Sequence, residues 1–127
     1  DLDPEAFTGA FVGALVFEPE PSAADACHTL SAAGLKLAVV SNWDVGLHDH
    51  LRALGLDDLV DVVVTSAEAG APKPSPRIFE HTLALLDVAA GDVVHVGDTE
   101  ADAAGARAAG LRFEPAPLAD AARRILA

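Results

Sequence analysis

The run Val93-Val-His-Val96 is apolar, too short for a packed helix, and broken at once by Gly97-Asp98, after which an alanine-rich stretch begins. A strand buried on both faces of a parallel sheet reads this way, as a short continuous run and not as an alternation. The pattern recurs at residues 35–41 and 61–66, each followed by a helical stretch, and in weaker form at 111–114 before 118–126. Strands alternating with helices restrict the fold class to α/β, a doubly wound parallel sheet with helices on its faces. Such sheets bind ligands beyond the carboxyl ends of their strands. The residues that follow each apolar run are therefore the ones to weigh.

Local signals set the other elements. A helix over about 45–54 is stopped by Gly55 as its C-cap. The prolines at 72, 74 and 76 exclude helix and stiffen the loop before a helix over 77–86. Ile78, Phe79, Thr82, Leu83 and Leu86 share one face of that helix, the face expected to pack on the sheet. The helix over 100–109 is built of small residues that allow close packing. At the N-terminus two helical stretches, 4–16 and 22–33, flank Phe17-Glu-Pro-Glu-Pro21, which reads as an extended linker.

Composition narrows the function. The 127 residues make about one domain, and a net charge of -12 disfavours nucleic acid and anionic membrane, both of which need clustered Lys or Arg. A small anionic substrate would be repelled at long range, so a phosphate site would need a local cation, for which a metal ion and Lys73 are the candidates. Cys27 is the sole cysteine, which rules out an internal disulfide, fits a reducing, cytoplasmic setting, and suits a packed small residue better than a reactive thiol. No apolar run approaches the roughly 20 residues of a membrane span, and the acidic start resembles no signal peptide. The chain contains no methionine and opens on Asp1, so it is expected to be a piece of a longer reading frame.

Three places could carry chemistry. Ser41 ends a buried strand and is followed by Asn42; its hydroxyl either donates to a ligand oxygen or serves as a turn and cap group. Lys73, one of two lysines, stands among prolines that would hold its ammonium toward a site; otherwise it is a solvated loop residue. Asp98 projects from a strand end, and Asp102 lies one helical turn further on and can point back to the same spot. Such carboxylates suit a hard cation such as Mg²⁺, or cap and charge the start of the next helix, with Asp98 as the cap. The five histidines make no ligand set: His48 and His50 face different ways, and His95 suits a packed, hydrogen-bonded strand residue. No Walker loop, dinucleotide glycine fingerprint or Gly-x-Ser-x-Gly elbow is present.

Ser41-Asn42, Lys73-Pro74 and Val96-Gly97-Asp98-Thr99-Glu100-Ala101-Asp102, in this order and spacing, resemble the haloacid dehalogenase-like hydrolase superfamily, over about residues 17–110. The chain looks most like the branch with a helical cap inserted between the first and second motifs. The resemblance implies a Rossmann-like core and a Mg²⁺-dependent phosphatase acting on a small phosphorylated metabolite. In that scheme Ser41 and Asn42 bind the phosphoryl group, Lys73 neutralises the intermediate and Asp98 ligates the metal. Asp102 is either a second metal ligand or the carboxylate that orients Lys73. The family's nucleophile lies in an Asp-x-Asp-x-Thr motif after the first strand, and this sequence has none: Asp1-Leu-Asp3 copies the spacing but has Glu5 in place of the hydroxyl residue. Residues 1–17 are thus expected to be the end of the cap, and 18–127 a core lacking its first, central strand, with the neighbouring strand edges unpaired or forced together. Other readings are a 2-haloacid dehalogenase-type hydrolase, against which Gly97-Asp98 argues, and a non-catalytic binding module that kept the fold and lost the nucleophile.

Overall fold

The computed structural model describes residues 13–17, 19, 23–41, 46–71, 73 and 75–126. Five strands, β1 (Ala14–Phe17), β2 (Lys36–Ser41), β3 (Val62–Thr65), β4 (Val93–Gly97) and β5 (Arg112–Pro115), form one sheet in the order β3-β2-β1-β4-β5. Every pairing is parallel. Between the strands run α1 (Ala23–Ala32), α2 (Leu47–Ala53), α3 (Ser66–Ala69), α4 (Arg77–Leu86) and α5 (Glu100–Ala108), and α6 (Leu118–Leu126) closes the chain. A 3₁₀ turn at Ala90–Asp92 leads into β4.

The sheet separates two cores. On one face Leu15, Phe17, Leu37, Val39, Val94 and Val96 meet side chains of α1, α2 and α6. On the other, Val16, Ala38, Val40 and Val64 meet Ile78 and Phe79 of α4 and Ala106 of α5. Burial on both sides explains why the strands read as unbroken apolar runs. The predicted doubly wound architecture is present, and α4 and α6 keep their predicted bounds. Among the described residues no helix is long and apolar enough to cross a membrane.

The N-terminal segment departs from expectation. Residues 14–16, read above as the end of a helix within the cap, form a strand together with Phe17, and all four side chains are fully buried. A helix end could not hide four consecutive side chains, whereas a strand between two others does so by sending them alternately to each face. Phe17 aligns with Val39 on one side and Val96 on the other, so the central position holds a strand and neither neighbouring edge is left unpaired. The segment after β1 was expected as an extended linker; of it only Pro19 lies within the described residues, and residues 1–12 lie outside them. A second difference is α3, where a loop was expected: Thr65 accepts from the Glu68 backbone N–H while the Glu68 carboxylate accepts from Thr65 N, a reciprocal cap that nucleates a short helix.

Candidate functional site

The parallel strands all present their carboxyl ends at one rim, and the residues singled out in the sequence collect there. Ser41 ends β2 beside Thr65 of β3 and is buried. Gly97 ends β4, and Asp98 follows it, exposed to solvent. With β1 between them, β2 and β4 lie two strand spacings apart, about 10 Å. Asn42, the other predicted phosphate contact, lies outside the described residues, as do Pro72 and Pro74 around Lys73.

Lys73 is not a solvated loop residue. Its Nζ donates to Asp102 Oδ1 at 2.6 Å, and the two side chains are 3% and 2% exposed. The N-terminus of α5 sets this geometry. Thr99, not Asp98, is the cap: its hydroxyl accepts from Asp102 N at 3.0 Å, while Asp102 Oδ2 accepts from Thr99 N at 3.3 Å. Asp102 Oδ2 also accepts from Asp98 N at 3.2 Å, and Oδ1 accepts from Lys73 and lies 3.2 Å from His95 Nε2. Oδ2 thus meets two backbone donors and Oδ1 meets the Lys73 ammonium and a ring nitrogen of His95, and the side chain is almost fully buried.

Gly97 makes room for this carboxylate. A Cβ at position 97 would lie 2.5 Å from Asp102 Oδ2 and 2.7 Å from Asp102 Cβ, closer than non-bonded atoms approach. The Gly-Asp turn that stood out in the sequence is therefore a packing requirement: the aspartate four residues on occupies the space of the missing side chain.

Burial alone would raise the pKa of Asp102, but hydrogen bonds from His95 and Lys73 and their charge outweigh it and hold the carboxyl well below the usual carboxylate range. At Lys73 burial pulls the ammonium below its ordinary value, against the hydrogen bond and charge of Asp102 and the charge of Asp98. The result is an ionised carboxylate holding a desolvated lysine.

Among the described residues no three His, Cys, Asp or Glu side chains group as a metal site. Mg²⁺ binding enzyme phosphate sites usually takes one or two carboxylates and fills its shell with waters and phosphate oxygens. Asp98, solvent-facing at the rim, fits one such position, while the lone pairs of Asp102 are already engaged. Sequence reasoning identified His95 as packed and hydrogen-bonded, which it is, but did not connect it to Asp102. His28, His48 and His81 are exposed on helices.

The described residues thus form a doubly wound parallel sheet with a lysine–aspartate pair and a solvent-facing carboxylate at its C-terminal rim. A family model described as haloacid dehalogenase-like hydrolase matches residues 3–110, and the chain belongs to that family. It is 51% identical over 79 residues, 61% of this chain and 32% of the relative, to haloacid dehalogenase-like hydrolase domain-containing protein 3 of Bos taurus. It is 41% identical over 106 residues, 80% of this chain and 44% of the relative, to ribulose-1,5-bisphosphate 5-phosphatase of Halopiger xanaduensis. Among solved structures, CbbY from Rhodobacter sphaeroides in complex with phosphate superposes with a TM-score of 0.69 at 30% identity, covering 76% of this chain and 45% of that one. The chain spans less than half the length of these relatives.

Proposed function

We propose that this chain is the phosphate-handling core of a phosphatase that acts, in the intact protein, on a small phosphate monoester in the cytoplasm. The single observation that carries this reading is the buried Lys73–Asp102 pair at the strand ends, with Nζ and Oδ1 2.6 Å apart. A desolvated, fixed ammonium stabilises phosphoryl charge better than a mobile surface lysine, because no solvent must reorganise around it. Phosphatases among the relatives support the same substrate class. Ser41, with Asn42 beside it in sequence, would donate to a phosphoryl oxygen across the rim. Asp98 would supply one oxygen to Mg²⁺, which when bound would draw charge from the phosphoryl oxygens. Asp102 acts in this scheme by orienting Lys73 and not as a second ligand.

The position that follows β1 in sequence is Glu18, in Glu18-Pro-Glu20, not the aspartate of an Asp-x-Asp-x-Thr motif. The polypeptide alone should therefore bind phosphate without turning over an ester. Titration of inorganic phosphate into the chain with Mg²⁺, followed by ³¹P NMR, should show saturable binding that weakens about tenfold or more in Lys73→Met and Ser41→Ala. Equal binding by wild type and both variants would reject the site. Hydrolysis of p-nitrophenyl phosphate should be no faster than by Asp98→Ala; metal-dependent turnover abolished by Asp1→Asn would show that the N-terminal Asp-Leu-Asp supplies the nucleophile after all.

A further inference from the structure

His95 is fully buried in β4, and both of its ring nitrogens face oxygen. Nδ1 lies 2.8 Å from the carbonyl oxygen of Val16, and Nε2 lies 3.2 Å from Oδ1 of Asp102. A carbonyl oxygen only accepts, so Nδ1 must carry a proton. An ionised carboxylate also only accepts, so Nε2 must carry one as well. A neutral imidazole has a single N–H and would set one nitrogen lone pair against an oxygen lone pair between two buried side chains. We propose that His95 is a doubly protonated positioning residue that clamps Asp102 and fastens it to the central strand.

The surroundings suit a cation. Phe79 of α4 stands edge-to-face with the imidazole, centroids 4.7 Å apart, and Phe113 of β5 lies 6.0 Å away on a tilted ring. The charged groups nearby are Asp102 in direct contact, Lys73 on the same carboxylate oxygen, Asp98 acting on Lys73, and Arg107 5.8 Å from the Phe113 ring. Of these groups the two aspartates are the negative ones.

This assignment changes the charge that the site presents. Lys73 and Asp102 alone would cancel, leaving a buried neutral pair with little attraction for an anion. With His95 charged, the three groups sum to one positive charge, and the lysine keeps its pull on whatever anion reaches the rim. That use rests on the phosphatase reading; the clamp does not. Through Val16 the clamp also ties the site to β1, so the central strand fixes the lysine without lending it a side chain.

The test is the ring itself. In uniformly ¹⁵N-labelled full chain at neutral pH, with the His95 signals identified by their loss in His95→Gln, both ring nitrogens should show a directly bonded proton and the shifts of imidazolium. One nitrogen without a proton would overturn the proposal. In Asp102→Asn the negative charge that holds the second proton is gone, so the ring should revert to one N–H; unchanged double protonation there would show that Asp102 does not hold it. The Lys73 ammonium should be visible as a slowly exchanging signal in wild type and in His95→Gln, whose amide can still reach Asp102, and be lost in His95→Leu. Its persistence in His95→Leu would show that the lysine is positioned without the histidine. These readings need no ligand: a doubly protonated ring with no phosphate-dependent change at Lys73 would confirm the clamp and remove the phosphatase reading, so the two fail separately.

Discussion

Replacing Asp102 by asparagine should cost this fold several kcal/mol although the two side chains have nearly the same shape. Each carboxylate oxygen faces two donors: Lys73 Nζ and His95 Nε2 on one, and the backbone N–H groups of Asp98 and Thr99 on the other. An asparagine has one acceptor and one donor end, so in either orientation its NH₂ is pressed against two further donors. The lost negative charge also leaves Lys73 buried and uncompensated, and breaking a buried pair from one side costs about 3–5 kcal/mol. Against a total stability of about 5–15 kcal/mol for a domain, that is a large fraction. With a urea slope of about 2 kcal/mol/M, the unfolding midpoint followed by circular dichroism should fall by roughly 2 M. Asp98→Asn, at an exposed position in the same turn, should move it within about ±0.5 kcal/mol. Adding Lys73→Met to Asp102→Asn should cost less than the sum of the single changes, because the orphaned ammonium is removed with its partner. A midpoint shift below about 0.5 M in Asp102→Asn would mean that the network is not formed in solution.

Gly97→Ala should destabilise by about 1–3 kcal/mol, since its Cβ would overlap Asp102 and the helix start must shift; a neutral effect on thermal unfolding would contradict that contact. Acid should erase part of the advantage of the wild type. Asp102 is held below the pKa of about 3.9 that an unfolded aspartate has, so its contribution is complete above that value and is lost as pH falls below it toward the folded value. The gap in urea stability between wild type and Asp102→Asn should therefore shrink between pH 5 and pH 3, and a gap as large at pH 3 as at pH 5 would count against an ionised, clamped carboxylate. Asp98→Ala should abolish any Mg²⁺-dependent rise in phosphate affinity while leaving metal-free binding in place; an undiminished Mg²⁺ response would move the metal to other residues.

The sheet was readable wherever a run was apolar, short and bounded by a turn: 35–41, 61–66 and 93–96 announced β2, β3 and β4. Ala14-Leu-Val-Phe17 carries the same kind of signal but follows directly on an amphipathic stretch. A fully buried strand and a buried helix end both appear as unbroken hydrophobicity, so pattern alone cannot separate them. Length, four residues after Gly13, and the β-favouring pair Val16-Phe17 were the clues against a helix. The helix at 66–69 had an available signal in Thr65-Ser-Ala-Glu68, the capping-box spacing, which the nearby prolines overshadowed. At the site, the residue types and their rim position followed from strand ends. The partnership did not: Lys73 meets Asp102 across 29 positions and His95 meets it across a strand, a turn and a helix start. Such contacts are set by how a loop folds back over a sheet, which no local window contains.

The place of β1 governs how this molecule can be assembled. Among the described residues it is the one strand that joins β3-β2 to β4-β5, and it is also the earliest of the five in sequence. During synthesis it must wait, with four apolar side chains and two open edges, until partners made much later arrive on both sides. Pairings so distant in sequence close slowly and leave such intermediates prone to aggregation. Nicking the backbone just beyond Phe17 should therefore matter less once the sheet has closed than any delay in closing it, and a chaperone that shields this one short segment would protect the whole fold.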